Sequence, residues 1–345
     1  MKITILTTLF VLLALLSCTK TDNFENERFS FVSQFGGNGS VEGIIGRARN
    51  ISQNFKGEIL IPDLGAANIK IFDSSGNHVR TFGKRGRGPG EFSGNLVIDT
   101  RNDTITVYDA TNYKVNFYTN EGNFISTFQV DNRFASQFEF AKGEILVAGS
   151  KAAAFQTELV DEKLFHVFDF RGNPITQFGE FPSYGTDVPA IIYSNTFEII
   201  NNKLHVLFTY LPLYQIYDMN DYTLVQSIDL TSFDTFDSKF NNSDLPSNPS
   251  EVLNNENGLV SYAGGLSISE NDVFFFTDSA SEDDLIVRRF NLVNDSLEFI
   301  ELIRIPKNDD VLGLADLTYS YSNNTLNVLV FSTLSGHIVK QYLLK

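Results

Sequence analysis

The densest group of cationic side chains lies in a glycine-rich segment that runs from Gly83 to Phe92. Lys84, Arg85 and Arg87 stand among glycines there, in a chain whose formal net charge is −16. Adjacent glycines and cations are typical of phosphate-binding loops, but no Gly-Lys-Ser/Thr ending appears and no helix is predicted to follow. The structural alternative is that the glycines let the chain turn tightly between two strands. We favour the turn, and recognition of an anion by these three cations stays open.

Arg47 and Arg49 form a second basic pair, two residues apart. Side chains two residues apart on a β-strand project to the same face. The pair precedes the second strand of the first repeat unit described below, so we expect it on that unit's innermost strand, beside a central channel. There it would offer a positive lining to a carboxylate or a sulfate. The alternative is a solvated pair at a strand end, since most arginines in folded proteins are exposed.

Histidine and carboxylate spacing gives no local metal motif. The four histidines, at positions 78, 166, 205 and 337, are far apart, and no His-x-x-x-His or Cys/His spacing indicates zinc. The acidic segment 278–284 has enough oxygen ligands for calcium but lacks the glycine and final glutamate of an EF-hand loop. Calcium in a loop or at a channel stays open, and the cofactor is otherwise unassigned.

No nucleophile motif is present either. The chain has no Gly-x-Ser-x-Gly elbow, and its carboxylates are too numerous for any pair to be assigned as general acid and base from spacing. No catalytic residue is therefore assigned, and binding without catalysis is the stronger interpretation.

The amino-terminal residues have the pattern of an export signal. Lys2 precedes an apolar run over residues 3–16, which is followed by Ser17 and Cys18. The run is too short to cross a bilayer of roughly 30 Å, and a small residue precedes the cleavage point. The segment 15–18 resembles the bacterial lipobox, whose cysteine is lipidated. Because Cys18 is the sole cysteine of the chain, we predict lipidation there, with no disulfides.

These signals divide the chain into three parts. We predict a lipoprotein signal peptide over residues 1–17, a lipidated tether over residues 18–27 and a folded domain over residues 28–345. The strongly acidic balance argues against nucleic acid as a partner, because affinity for nucleic acid depends on neutralising phosphates. The lipid would make the membrane the first partner of the chain.

The folded part is built from repeats with the apolar alternation of β-strands. Residues 57–82 and 103–128 align, with a strand that ends in Asp, a loop with Asn, a second strand, a Gly-Asn hairpin and a third strand that ends in Thr-Phe. Degenerate copies open at Gly143, Lys203, Asp272 and Thr325. Two longer insertions fall at 148–162 and 230–259. Six openings predict six units, and the last unit lacks its final strand.

The segment from Arg28 to Phe35 ends in the same manner as the outer strands of the repeats. We therefore expect it to supply the fourth strand of the last unit, which would close a ring and leave few open sheet edges. The predicted fold is all-β: a six-bladed β-propeller closed by an N-terminal strand that completes the last blade.

The second unit resembles an NHL repeat in Asp109, Asn112, Lys114 and the turn at 121–124. The preceding segment 83–92 is similar to the glycine-rich junction of NHL-type six-bladed propellers, in particular the lipoprotein propellers of Bacteroidetes. The similarity is good over residues 57–130 and weak beyond. It implies the fold, while members of that family include scaffolds, ligand binders and a few enzymes.

Together these features predict a cell-envelope lipoprotein, at the outer membrane, that acts as a ligand-binding or protein-interaction propeller. An anionic ligand would meet Arg47, Arg49, Lys84, Arg85 and Arg87, on the face that carries the loops at 63–68 and 109–112. Envelope proteins, glycans or peptides are the candidate partners. The alternative is a metal-dependent hydrolase or lyase at the mouth of the channel.

Overall fold

The computed structural model describes residues 29–37, 41–101, 103–130, 134–141, 144–149, 163–183, 190–234, 236, 263–277, 284–307, 311–332 and 336–345. The expected signal peptide, Cys18 and the rest of the tether, and Arg28 at the start of the domain lie outside this part. The same holds for most of both insertions and for segment 278–283. In the described part, no helix is both long and apolar enough to cross a membrane.

Strands make up almost all regular structure, and we number them in chain order. The first twelve are β1 Phe29–Phe35, β2 Ser52–Gln53, β3 Ile59–Asp63, β4 Asn68–Phe72, β5 His78–Phe82, β6 Leu96–Arg101, β7 Thr104–Asp109, β8 Lys114–Thr119, β9 Phe124–Gln129, β10 Phe134–Ala141, β11 Glu144–Gly149 and β12 Phe165–Asp169. The others are β13 Pro174–Phe178, β14 Asn195–Ile200, β15 Lys203–Phe208, β16 Leu213–Asp218, β17 Thr223–Asp229, β18 Gly264–Ser269, β19 Asp272–Thr277, β20 Asp284–Val293, β21 Ser296–Pro306, β22 Val311–Ser320, β23 Thr325–Ser332 and β24 Gly336–Leu344. Short 3₁₀ turns occur at Val41–Gly43, Ala190–Tyr193, Leu230–Ser232 and Tyr321–Asn323.

The described strands form six four-stranded antiparallel sheets, one for each predicted blade. Their orders are β2-β3-β4-β5, β6-β7-β8-β9, β10-β11-β12-β13, β14-β15-β16-β17, β18-β19-β20-β21 and β1-β24-β23-β22. In each blade the first-written strand is innermost, except in the last blade, where β22 is innermost and β1 is outermost. The six-bladed propeller is thus confirmed, and so are the six predicted openings, which coincide with the second strands.

The N-terminal clasp is also confirmed. Strand β1 pairs antiparallel with β24, with Phe29 opposite Leu344 and Phe35 opposite Val339. Phe35 also packs on Phe72 of the first blade, with ring centroids 4.8 Å apart. One strand therefore completes the last blade and contacts the first, which removes the open edge that the chain end would otherwise leave.

The core lies between neighbouring blades. Ile105 and Val107, on alternate positions of β7, are fully buried in a cluster with Leu60 and Ile69 of the first blade. Successive residues of a strand point to opposite faces of its sheet, so the continuous buried runs of β3 and β7 face both neighbouring blades. Truncating such a residue to alanine costs about 2–5 kcal/mol.

The two recurrent sequence features, Thr-Phe and Gly-Asn, meet in space. Gly76, Gly122 and Gly172 have φ of +84°, +87° and +82° in the hairpins that precede the outer strands. A Cβ on Gly122 would lie 2.8 Å from Phe82 of the preceding blade, and one on Gly172 would lie 2.7 Å from Phe128. Only glycine combines the left-handed backbone with this close ring contact.

Candidate functional site

One face of the ring, here called the upper face, carries the segments that enter each innermost strand and the loops between the two middle strands of each blade. Segment 83–95 and the loops at 64–67 and 110–113 belong to it. The described ends of the chain, Phe29 and Lys345, lie on the opposite, lower face, since Phe29 pairs with Leu344. The topology therefore brings the basic segment and the repeat loops to one face, as expected.

Asp63, the aspartate that ends the second strand of the first blade, joins two segments of the upper face. Its carboxylate accepts hydrogen bonds from the main-chain N–H groups of Gly46 at 3.1 Å and Arg47 at 3.3 Å. It also accepts the N–H groups of Gly65 at 3.0 Å and Ala66 at 3.2 Å. Asp63 thus holds the incoming segment against its own loop.

Asp109 does the same in the second blade. It accepts the main-chain N–H of Ser93 at 2.7 Å from the incoming segment, and those of Thr111 at 3.1 Å and Asn112 at 3.2 Å from its own loop. The side-chain amide of Asn112 donates to the same carboxylate at 2.9 Å. Asp63, Asp109 and Asn112 are therefore structural residues.

Lys84 and Arg85 are engaged by their own surroundings. Lys84 pairs with Glu91 at 3.3 Å while remaining mostly exposed. Arg85 donates to the main-chain oxygens of Gly65 at 2.8 Å and Ser93 at 3.3 Å, which ties the junction to the loop of the preceding blade. The turn interpretation of this segment accounts for both side chains.

The strand expected at Arg47 and Arg49 is absent, and this expectation was wrong. The innermost strand of the first blade is Ser52–Gln53, and the two arginines precede it in irregular backbone. The reason is that Asp63 captures the N–H of Arg47, whose own carbonyl accepts Leu64 N–H at 2.7 Å, so the segment bonds to a loop instead of a ladder.

Arg47, Arg49 and Arg87 are exposed on the upper face. In the described part of the chain, no carboxylate pairs with any of these three guanidinium groups. Of the five cations selected from the sequence, Arg49 alone lines the cavity described next.

A cavity of about 650 Å³ occupies the centre of the ring. Its wall comes from β2, β6, β10, β14, β18 and β22, the six innermost strands, and Asn95, Ser194 and Tyr210 line it on the upper face. Since the innermost strands run from the upper to the lower face, Arg101 at the end of β6 marks the deep part.

Four acidic residues line this cavity, each from a different blade: Asp99 on β6, Glu139 on β10, Glu198 on β14 and Asp316 on β22. Arg101 pairs with Glu139 at 2.9 Å and also donates to the carbonyl of Ile199 at 2.8 Å. The deep lining is thus acidic overall, which differs from the positive channel lining expected from Arg47 and Arg49.

These acidic side chains also bond neighbouring blades together. Glu139 Oε1 accepts the main-chain N–H of Ile199 in the next blade at 2.7 Å. Glu198 Oε2 accepts that of Ile268 in the blade after it, at 2.6 Å. Each carboxyl group therefore accepts from a main-chain N–H of the next blade. That N–H lies on the open edge of an innermost strand and has no partner in its own sheet.

Side-chain hydrogen bonds of this kind continue around the ring and together form a belt between neighbouring blades. Ser267 Oγ accepts the N–H of Tyr319 at 2.9 Å, and Asp316 Oδ2 accepts that of Ile51 at 3.0 Å, which joins the last blade to the first. The side-chain amide of Asn50 donates to the carbonyl of Ile98 at 3.1 Å. Side chains at the channel thus fix the relative positions of the innermost strands.

The buried carboxyl groups hold protons unusually tightly. Burial raises the pKa of Glu198 to about 8 and that of Asp316 to about 7. Burial also raises the pKa of Glu139 well above its ordinary value; Asp99 and Glu198 raise it further, while Arg101 opposes the change. At neutral pH part of this acidic lining is therefore uncharged.

The sequence analysis did not select these four acidic residues. They are separated by tens of residues, and Glu139, Glu198 and Asp316 each stand within an otherwise apolar or uncharged stretch, as Glu139 does between Phe138 and Phe140. A carboxylate on an innermost strand was the available signal, since charged side chains are seldom buried without a partner.

The histidines lie on four separate strands: His78 on β5, His166 on β12, His205 on β15 and His337 on β24. His205 is buried with its Nδ1 3.0 Å from the Tyr214 hydroxyl, and burial lowers its pKa to about 4. Among the described residues, no three His, Cys, Asp or Glu side chains are placed to hold a metal ion. Of the expected calcium loop, only Asp284 is described.

Comparison with known proteins agrees with this architecture. The DUF5128 family model, described as a 6-bladed beta-propeller, matches residues 42–263. A search of the curated proteins found no match.

Two solved structures from Bacteroides share the fold. A protein of Bacteroides fragilis NCTC 9343, provisionally described as exported, is 15% identical, with a TM-score of 0.59 over 93% of this chain and 96% of its own. A member of the DUF4221 family from Bacteroides vulgatus is 11% identical, with a TM-score of 0.63 over 92% of this chain and 98% of its own. At these identities the likeness concerns the fold alone.

Proposed function

This chain belongs to the DUF5128 family of six-bladed β-propellers, and we propose that it is a cell-envelope lipoprotein that binds a ligand at the upper face of its ring. The observation that carries the proposal is the cavity of about 650 Å³ at the centre of the ring. A cavity of this volume is within the usual range for small-molecule sites. The rigid belt around it would hold the lining residues in place, whatever the ligand.

The envelope location rests on the amino-terminal sequence and on the geometry of the chain end. Lys2, the apolar run 3–16 and Ser17 before Cys18 fit an export signal with lipidation, in an NHL-like lipoprotein of the Bacteroidetes type. We place the signal peptide at 1–17, the tether at 18–27 and the propeller at 28–345, anchored in the outer membrane. Because β1 starts on the lower face, such an anchor would leave the upper face and its cavity directed away from the membrane.

The rim of the cavity supports recognition of an anionic group on the ligand. Arg47, Arg49 and Arg87 are exposed on the upper face and lack a carboxylate partner in the described residues, while Arg49 lines the cavity. Arginine binds carboxylate and sulfate through two parallel hydrogen bonds. Lys84 and Arg85 stay secondary members of this site because Glu91 and two main-chain carbonyls already engage them.

A titration of single alanine variants tests this proposal. Arg47→Ala, Arg49→Ala and Arg87→Ala are titrated, beside the wild type, against uronate-containing and sulfated glycans, carboxylate peptides and neutral glycans. Arg171→Ala is the matched control, because Arg171 is exposed in a hairpin on the lower face. We expect Arg49→Ala to weaken binding of an anionic probe about tenfold, since a charged hydrogen bond contributes roughly 1.5–3 kcal/mol. Equal binding by all four variants and the wild type would place the site elsewhere.

A further inference from the structure

Three buried acceptor atoms in the cavity wall have no hydrogen-bond partner within the described protein: Asn50 Oδ1, Glu139 Oε2 and Asn195 Oδ1. Glu139 and Asn195 are 6% and 7% exposed. A buried acceptor without a partner costs about 1–3 kcal/mol. Asn50 stands just before β2 and Asn195 at the start of β14, both towards the upper face, whereas Glu139 lies in the deep part beside Arg101, so Glu139 Oε2 is the acceptor that belongs to the deep wall.

The orientation of the two amides is fixed by their other contacts. Asn50 donates through Nδ2 to the carbonyl of Ile98 at 3.1 Å, and Asn195 donates through Nδ2 to that of Tyr193 at 3.0 Å. A carbonyl oxygen accepts only from a donor, so exchanging the amide oxygen and nitrogen would break both bonds. The unpartnered atoms in the wall are therefore oxygens.

The charges in the wall select among donor groups. Asp99, Glu139, Glu198 and Asp316 stand on four different strands, and Arg101 is the cation among them in the deep part. Burial keeps part of this lining protonated at neutral pH, and a bound cation would favour release of those protons, because an opposite charge nearby stabilises the ionised carboxylate. The ionised wall would repel an anion at this depth.

Of the aromatic rings that line the cavity, Phe138 lies next to Glu139, whereas Tyr210, Phe276 and Phe331 stand towards the upper end. An ammonium group is attracted to the face of an aromatic ring as well as to carboxylates. A neutral hydroxyl would gain the hydrogen bonds but not these charge interactions.

Building on the proposed function, we propose that the ligand presents a protonated amine to the deep part of this cavity, where the carboxyl groups of Asp99, Glu198 and Asp316 and the unpartnered oxygen of Glu139 receive it. The rim arginines and the deep carboxyl groups then act on different groups of one ligand. The ligand class is an amine that also carries an acidic group, as amino acids, peptides and acidic amino sugars do.

Three probes of similar shape test the charge preference: benzylamine, benzyl alcohol and phenylacetate, each titrated into the protein by calorimetry. We expect benzylamine to bind at least about tenfold more tightly than benzyl alcohol, which corresponds to about 1.4 kcal/mol. Glu198→Gln keeps an acceptor for the N–H of Ile268 but cannot ionise beside a bound ammonium, so it should weaken benzylamine about tenfold and leave benzyl alcohol unchanged. Glu298→Gln, on the exposed outer strand β21, is the matched control and should change neither.

Several results would overturn the inference: equal binding of benzylamine and benzyl alcohol, tighter binding of phenylacetate, binding of none of the three, or insensitivity of benzylamine to Glu198→Gln. The proposed function fails separately. If phenylacetate binds and Arg49→Ala abolishes its binding while benzylamine does not bind, the anion site at the rim stands and the amine site is wrong. If benzylamine binds through Glu198 and no anionic probe responds to the arginine variants, the amine site stands and the rim assignment is wrong.

Discussion

Glu139 Oε1, in the third blade, accepts the main-chain N–H of Ile199, in the fourth, at 2.7 Å, while its second oxygen is buried without a partner. One side chain thus serves both the structure of the ring and the chemistry of its cavity. Glu198 repeats the first of these roles one blade further on, through the N–H of Ile268.

The two roles of Glu139 separate by substitution. Glu139→Ala leaves the Ile199 N–H without its acceptor, so we expect a loss of about 1–3 kcal/mol in the free energy of unfolding. Glu139→Gln keeps an acceptor oxygen and should lose less than half as much. Urea unfolding followed by circular dichroism measures both. Equal losses would mean that the hydrogen bond to Ile199 does not carry the stabilisation.

Stability should depend on pH through Glu198. Its pKa is raised in the folded protein, mainly by burial, and also by Asp99 and Asp316, while Arg101 and the Ile268 N–H oppose the rise. The unfolded state therefore ionises near pH 4.5 and the folded state near pH 8, so the folded state binds more protons between these values. By linkage, stability from this group falls as pH rises through that window and levels off above it.

The difference between the wild type and Glu198→Gln reports this contribution together with the change that loss of the Glu198 charge causes in the pKa of Glu139 and of Tyr214, while Asp99, Asp316 and Arg101 remain in both proteins. We expect the wild type to lose roughly 3–4 kcal/mol relative to the variant between pH 5 and pH 8, because one pKa unit corresponds to about 1.36 kcal/mol. Unfolding titrations at several pH values give the two curves. A difference that is flat, or that grows in the wild type's favour with rising pH, contradicts the assignment.

Removal of the clasp should destabilise the ring. Deleting the chain through Phe35 removes β1, exposes the edge of β24 and removes the packing of Phe35 on Phe72. We expect a loss on the order of 4 kcal/mol, since the lost contacts of the half-buried Phe35 and the hydrogen-bonded ladder between β1 and β24 add together. Deleting residues 19–26 is the control and should leave thermal unfolding nearly unchanged. Similar effects from the two deletions would show that the clasp does not stabilise the ring.

Lipidation at Cys18 is tested by mass spectrometry of the protein from its native membrane. We expect an amino-terminal cysteine that carries a diacyl or triacyl glyceryl group, because Cys18 is the sole cysteine and follows an apolar run and Ser17. Cys18→Ser should move the protein from the membrane fraction to the soluble fraction. An unmodified amino terminus at another residue would contradict the anchor.

The fold was accessible from the sequence because its signals are local. The repeat at 57–82 and 103–128 predicts the blade, and the Asp, Asn, Gly and Phe of that repeat make contacts within one blade or with its neighbour. Even the clasp was predicted, since Phe35 ends β1 as Phe82 ends β5.

The site was less accessible because ring closure assembles it. Glu139 and Glu198 approach each other only when their blades are adjacent, and no spacing in the chain shows that. The strand assigned to Arg47 and Arg49 was wrong for a related reason: the carboxylate of Asp63, sixteen residues beyond Arg47, decides the path of that segment.

The most direct test of the central claim is a crystal structure of the protein grown with benzylamine. We predict ordered benzylamine inside the central cavity, with its nitrogen within hydrogen-bond distance of the carboxyl group of Asp99, Glu198 or Asp316. Benzylamine bound only outside the ring, or a cavity without it at concentrations that saturate binding in solution, would contradict the account.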